Sequence, residues 1–318
     1  MTLVDRCHLV TYRGLQEVVM EKNVLITGSA SGLGFEAVRV FAERGYRVFA
    51  GVRAAEDAAK VARIHPGVTP VVLDVADPAQ VKAAAEQVDR ASGPAGLAVL
   101  INAAGSALYG PIEHTTRAEA AALFDVLTFG PFELSNLLLP ALKRFSSRKE
   151  GRAKVLNVVS WAAIDATPFV GFYAAAKAAL LRLTQAQYFE LARFGVDAIA
   201  VVPGMMKTSF LTKAEGQIGA AMARLSPAGR DDYGGGLAHM ASMSRQSSRN
   251  PLAASPEKIA RKLLAIAEKR RAKYQYNVGL DTALVRFMNF VLPFWILKAA
   301  KNALFGLDRR PTPAAAAP

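Results

Sequence analysis

The chain has 318 residues, 52% of them hydrophobic, which excludes general disorder and is enough to bury a large core within one α/β domain. Its one cysteine, Cys7, excludes an intramolecular disulfide, and its four histidines, His8, His65, His114 and His239, lack ligand spacing, so no metal is expected. The net charge of +13 comes without a nucleic-acid-binding motif or a basic-aromatic patch, so nucleic acid is not an expected partner; a phosphorylated cofactor or anionic lipid would use the charge, and a generally basic composition accounts for it equally well.

Met1 to Val19 shows no clear pattern and lacks the long apolar run of a signal peptide, and Met20 offers an alternative start just ahead of the first strand. Val24, Leu25 and Ile26 then form a short apolar run of the kind expected for a strand buried on both faces. Gly28, Gly32 and Gly34 follow, and after them Phe35, Val38 and Phe41 recur at helical spacing. Strand, glycine turn and helix in that order bring backbone N–H groups and a helix N-terminus up to a pyrophosphate, which predicts a dinucleotide site.

The spacing Thr-Gly-x-x-x-Gly-x-Gly, from Thr27 to Gly34, resembles the short-chain dehydrogenase/reductase family. The resemblance runs from about Glu21 to Val278. It implies a Rossmann-type, doubly wound α/β fold with seven parallel strands, followed here by a helical C-terminal extension. It divides the chain into an arm at 1–20, a dinucleotide-binding and catalytic unit at 21–280 and an extension at 281–318. It makes Thr27, Gly28, Ser29, Ser31, Gly32, Leu33 and Gly34 cofactor-binding residues.

Arg47 to Val52 reads as the second strand. A carboxylate at the end of this strand accepts from the ribose 2′-OH and selects NAD. Val52 stands where the family's selecting Asp would fall, and Arg53 follows, able to pair with a 2′-phosphate; NADP(H) is the favoured cofactor, with NAD(H) the alternative if Arg53 is only a solvated loop residue. Val71 to Leu73 reads as the third strand and leads into Asp74 and Val75, which in the family lie along the adenine. Asp77-Pro78 starts a helix, Asp as N-cap and Pro at the first position. Leu97 to Ile101 reads as the fourth strand and closes on Asn102, Ala103, Ala104 and Gly105, resembling the family's Asn-Asn-Ala-Gly segment with Ile101 read in place of the first Asn. On the long helix that follows, Leu127 occupies the place of an Asn that supports a water relay to the catalytic lysine; only its backbone carbonyl could serve instead.

Val155 to Val159 reads as the fifth strand and ends in Ser160; Tyr173 comes 13 residues later and Lys177 four after that. Residues four apart share a helix face, and an ammonium near a phenol favours the phenolate. The resemblance assigns Ser160 to the substrate oxygen, Tyr173 to proton transfer, and Lys177 to lowering the tyrosine pKa and holding the nicotinamide ribose. Val196 to Val202 reads as the sixth strand, with Pro203, Gly204 and Thr208 as the cofactor turn beyond it. Lys207 to Pro251 should form the substrate lid, where Met205, Met206, Phe210 and Met222 line an apolar pocket or fill the core.

Pro256 to Ala267 reads as a helix and Tyr274 to Val278 as the last strand. Phe287 to Leu297 is apolar except for Asn289, is bounded by Arg286 and Lys298 and is broken by Pro293; at 11 residues it is short of the roughly 20 needed to span a bilayer. Glu257 to Arg310 holds 12 Lys/Arg against 4 Asp/Glu. An apolar patch with flanking cations fits a helix lying on an anionic membrane, and equally one packed over the pocket or a subunit partner. Gly45 to Arg53 and the extension look most like the steroid- and retinol-dehydrogenase-like members, which implies a lipophilic small-molecule substrate; a homo-oligomer and a cytoplasmic location, with peripheral contact to the inner membrane through the extension, are separate expectations. The alternatives are a 3-oxoacyl or small-carbonyl reductase and a non-catalytic cofactor-binding protein.

Overall fold

The computed structural model describes residues 22–148, 151–206, 209–249 and 253–308. The N-terminal arm, Lys207, Thr208, Arg309 and Arg310 lie outside them, as does the side chain of Phe210, so the expectations for these residues are not addressed by the structure. The fold is a Rossmann-like sheet of seven parallel strands in the order β3-β2-β1-β4-β5-β6-β7. The strands are β1 (Asn23–Ile26), β2 (Arg47–Val52), β3 (Val68–Val72), β4 (Leu97–Asn102), β5 (Ala153–Val158), β6 (Val196–Pro203) and β7 (Gln275–Val278). β1, β4, β5 and β6 are buried along their whole length, as their Val/Ile/Leu-rich runs require of strands covered on both faces.

Helices α1 (Gly32–Glu43), α2 (Ala55–Ala62) and α3 (Pro78–Ser92) join the first four strands; α4 (Arg117–Phe124), α5 (Gly130–Leu137) and α6 (Leu139–Ser146) join β4 to β5, and α7 (Gly171–Leu191) joins β5 to β6. α1 packs on α10 (Pro256–Ala267), α3 on α5 and α4 on α7. Their starts are written locally. Asp77 accepts from the N–H groups of Ala79 and Gln80 ahead of Pro78, Thr116 and Glu119 close a capping box, and Ser255 accepts from Lys258 ahead of Pro256. α10 buries Ile259, Leu263 and Ile266, each contributing about 1.5–3 kcal/mol relative to exposure.

The segment read as one long helix around Leu127 is interrupted. Asp125–Phe129 forms a π-helical turn between α4 and α5, with the Gly130 N–H bonded to the Asp125 carbonyl. β3 begins at Val68, earlier than read, because Pro70 is tolerated on an edge strand. Beyond β6, α8 (Ser209–Ala223) and α9 (Pro227–Arg249) pack on each other. The extension is two helices, α11 (Leu280–Val291) and α12 (Phe294–Phe305), and α12 packs on α9. Phe169, Ile218, Leu225, Leu237, Met240 and Phe305 form a satellite core beside the main one. Among the described residues no single helix is long and apolar enough to cross a membrane.

Candidate active site

The sheet order reverses between β1 and β4, so the loops after these strands diverge and leave a crevice beyond their carboxyl ends, where open α/β sheets take their ligands. The glycine turn lies there. Gly28 has φ +70°, and a Cβ on it would sit 2.7 Å from the Ala104 Cα; a Cβ on Gly34 would collide with the Gly28 carbonyl. Thr27 Oγ1 accepts from both Ala103 N and Ala104 N at 3.0 Å, and Ser29 Oγ donates to the Ile26 carbonyl at 2.8 Å. The Thr27 side chain therefore ties the two loops together and the Ser29 side chain closes the glycine turn on β1, although both residues are read from sequence as cofactor contacts. Ser31, the N-cap of α1, is exposed and makes no capping bond, and its hydroxyl has no partner among the described residues. The backbone cradle and that free hydroxyl fit a pyrophosphate.

Val52 is buried at the end of β2 and Arg53 is exposed immediately after it, with no ion pair among the described residues. Lys60, on α2, reaches back and donates to the Ala30 carbonyl at 2.7 Å, with its ammonium 5.0 Å from the Phe35 ring centroid. This second cation at the glycine turn has no sequence signal, since its placement depends on how α2 folds back. The Asp74 carboxylate accepts from Ala76 N at 3.0 Å, and the Val75 carbonyl meets Gly130 closely. Counted residue for residue, Asn102 takes the first place of the small-residue segment and the departure is Ala103, not Ile101, which is buried in β4 beside Ile26. Asn102 turns its side chain inward: Nδ2 donates to Asn157 Oδ1 at 2.7 Å, and Asn157 donates to Thr184 Oγ1 at 2.8 Å. Ala103 and Ala104 are half-buried and Gly105 is exposed, so this turn is open to a ligand.

Ser160 follows β5 in an extended conformation, and its Oγ accepts from Ala162 N at 3.2 Å, capping the short turn Trp161–Ala163. Tyr173 and Lys177 lie one turn apart on α7, and the Tyr173 hydroxyl shares a hydrogen bond with the Ser160 side chain. The three residues read from sequence are thus brought together. Their electrostatics differ from the expectation. Burial pushes the Tyr173 phenol above its usual value, and the bond to Ser160 draws it back only in part. Lys177 Nζ donates to the Val158 carbonyl at 2.8 Å, and burial lowers its pKa to about 8. The ammonium is held against a strand carbonyl one helical turn from the phenol, and burial is the larger influence on Tyr173. Tyr109, unmarked in the sequence, faces the same spot: burial first, then the Tyr173 charge, raises it to about 12.

Leu127 is fully buried in a cluster with Leu123 and Ala176, against which Phe172 and Tyr173 pack. Beside it Thr128 Oγ1 donates to the Ala176 carbonyl at 2.9 Å, fastening the π turn to α7. Where a polar relay residue would stand, this site has an apolar wall. Above it Phe169, at φ +67°, precedes α7 and sets its ring edge-on to Tyr233 at 6.3 Å and Phe305 at 5.9 Å. Met222 joins this cluster, Met206 packs on the main core, and Met205 contributes its backbone N–H to Asp281, so of these only Met222 lies in the satellite core. Pro203 ends β6 and Gly204 N donates to the Val278 carbonyl at 2.9 Å.

The family model for short chain dehydrogenases matches residues 22–218, and the chain belongs to the short-chain dehydrogenase/reductase family. It is 31% identical over 300 residues to human retinol dehydrogenase 5, covering 89% of this chain and 91% of that one. It is 33% identical over 192 residues to an NADPH-dependent 3-dehydrocapnine reductase of Ornithobacterium rhinotracheale, covering 60% of this chain and 68% of that one. Among solved structures it resembles a short chain dehydrogenase from Burkholderia cenocepacia in complex with NADP, at TM-score 0.66 and 25% identity, over 89% of this chain and 98% of that one. The chain is therefore an oxidoreductase acting on CH–OH/C=O groups with a nicotinamide dinucleotide, and it resembles the retinol-dehydrogenase-like members.

Proposed function

We propose that this chain interconverts a carbonyl and a secondary alcohol on a lipophilic small molecule, with NADP(H) in preference to NAD(H). The cofactor supplies or accepts the hydride; the protein binds, orients and polarises. Ser160 donates to the substrate oxygen. Tyr173 gives its proton to that oxygen in reduction and takes one in oxidation. Lys177 holds the nicotinamide ribose and keeps positive charge near the phenol. Gly28, Ser31, Gly32, Leu33 and Gly34 receive the pyrophosphate, Asp74, Val75, Asn102, Ala103 and Gly105 flank the adenine side, and Pro203, Gly204 and Thr208 adjoin the nicotinamide. Arg53, helped by Lys60, receives the 2′-phosphate.

The observation that carries the reading is the Ser160–Tyr173 hydrogen bond with Lys177 one turn beyond, beside the apolar wall of Leu123, Leu127 and Ala176. The NADP preference draws support from buried Val52 and exposed Arg53, and from similarity to a reductase described as NADPH-dependent. The same reading includes a catalytic unit ending near residue 280, self-association, and a cytoplasmic enzyme in peripheral contact with a membrane. A panel of ketones and alcohols, long-chain and small, assayed with both cofactors at the nicotinamide absorbance, tests it. NADPH-driven turnover that favours the long-chain ketones is expected. Preference for small carbonyls would return the reading to a small-carbonyl reductase, and no turnover at all to a cofactor-binding protein.

A further inference from the structure

α11 meets β7 and the Trp161–Ala163 turn through its first turn, where Thr282 is buried, and leaves much of its later length open to solvent. Leu292 takes an extended conformation ahead of Pro293, because a residue before proline avoids the helical region, and the chain turns there into α12. At this joint Phe290 is 90% exposed, Phe294 79% and Trp295 70%, with Leu284, Phe287 and Val291 also open to solvent. Aromatic surface gathered at one point is unusual on a soluble chain and marks an interaction site.

Charge selects the occupant. From Thr282 to Leu307 the chain carries Arg286, Lys298 and Lys301 and no Asp or Glu. Lys301 is engaged by Asp165, whereas exposed Arg286 and Lys298 make no ion pair among the described residues. Arg286 also lines a groove of about 510 Å³ with Lys273, Tyr188, Tyr274, Gln275 and Asn277, so two cations face one recess at the foot of the hairpin. A second copy of this chain docked through the same face would bring like charges against these. Anionic headgroups complement them, and aromatic side chains favour the boundary between headgroups and acyl chains.

The hairpin is rooted in both walls of the candidate site. Asp281 Oδ2 accepts from Met205 N at 2.6 Å, and Gly204 leaves the room for that carboxylate, since a Cβ there would collide with it. At the other end Phe305 packs edge-on against Phe169 at 5.9 Å and His239 at 6.1 Å, within the lid cluster. One root holds the turn after β6, the other the lid.

We propose that the α11–α12 hairpin is a bilayer seat: Phe290, Phe294 and Trp295 enter the interface of an anionic membrane, Arg286 and Lys298 meet its headgroups, and the lid is thereby held at the membrane surface. This rests on the peripheral-contact part of the functional reading and not on its turnover part, so the two fail separately. The test is flotation of the full chain with phosphatidylcholine vesicles, with and without phosphatidylglycerol, together with turnover of a water-soluble ketone. The chain should float only with the anionic vesicles and less as salt rises. Arg286→Gln and Lys298→Gln should each weaken partitioning about fivefold, one cation near such a surface contributing about 1 kcal/mol. Phe290→Glu and Trp295→Glu should abolish flotation and leave turnover of the soluble ketone unchanged. Trp295 emission should shift to the blue on binding, identified by its loss in Trp295→Phe. Flotation that survives both glutamate variants would overturn the proposal. So would an unmodified chain that stays below the anionic vesicles, or one that forms in buffer a dimer which Phe290→Glu dissolves.

Discussion

Lys177 is an ammonium kept out of water, and its position decides the pH behaviour of the site. With its pKa lowered by burial to about 8, it is charged below that pH and neutral above it. Tyr173, raised by burial, stays protonated throughout that range. Carbonyl reduction needs the phenol protonated and the ammonium charged, so its kcat/KM should be level below about pH 8 and fall above it; a profile that rises through pH 8 would remove Lys177 from its role. Arg53 and Val52 carry the cofactor preference. Hydrogen bonds to charged groups contribute about 1.5–3 kcal/mol, so NADPH should bind at least about tenfold tighter than NADH. In titrations, Arg53→Ala should remove most of the gap and Val52→Asp invert it; equal affinities in the unmodified chain would mean that Arg53 serves solvent only. Leu127 is a packing residue, buried with Leu123 and Ala176 against Tyr173. Leu127→Asn would bury an amide among apolar neighbours and cost about 1–3 kcal/mol, read as a lowered denaturant midpoint. An unchanged midpoint would show that a polar partner, such as a water, already reaches that position.

Elements whose boundaries are set by local chemistry are the ones legible in sequence. β2 at Arg47–Val52 and α10 at Pro256–Ala267 fall where the apolar pattern and the Ser255-Pro256 start place them. Ser255→Ala should accordingly cost about 1 kcal/mol in an unfolding titration, as loss of an N-cap does; no change would mean that α10 is held by its packing on α1 alone. The Ser160, Tyr173 and Lys177 set came from the family resemblance, and the structure brings the three together at a strand end and along one turn of α7. What escaped depends on long-range packing. The π turn at Asp125–Phe129 inserts a residue's worth of slack that no periodicity announces. Lys60 reaches Ala30, and Asp281 reaches Met205, only because distant segments meet. The hairpin break at Leu292–Pro293 was visible as a proline, but the exposure of α11 was not, since an apolar run reads alike whether it is covered or bare.

Across the whole molecule the buried titratable groups oppose one another as pH rises. Lys177 has its folded pKa lowered to about 8 from 10.5, so between those values the unfolded chain binds the extra proton and stability rises with pH. Tyr46 and Tyr109 are raised to about 12 from 10.0, so between those values the folded chain keeps the protons and stability falls. The unfolding midpoint should therefore climb from pH 8 towards 10 and drop beyond it; a steady fall from pH 8 would show that Lys177 is solvated in the folded state. The central claim is that α7, packed on the sheet beside the β1–β4 crevice, places Tyr173 to move a proton while the nicotinamide moves a hydride. It is tested most directly by NADPH-dependent turnover of a long-chain ketone by the unmodified chain and by Tyr173→Phe, with NADPH binding measured in parallel. The account predicts turnover in the first, a loss of roughly 10²-fold or more in the second, and NADPH binding retained in both. Near-normal turnover by Tyr173→Phe would contradict it.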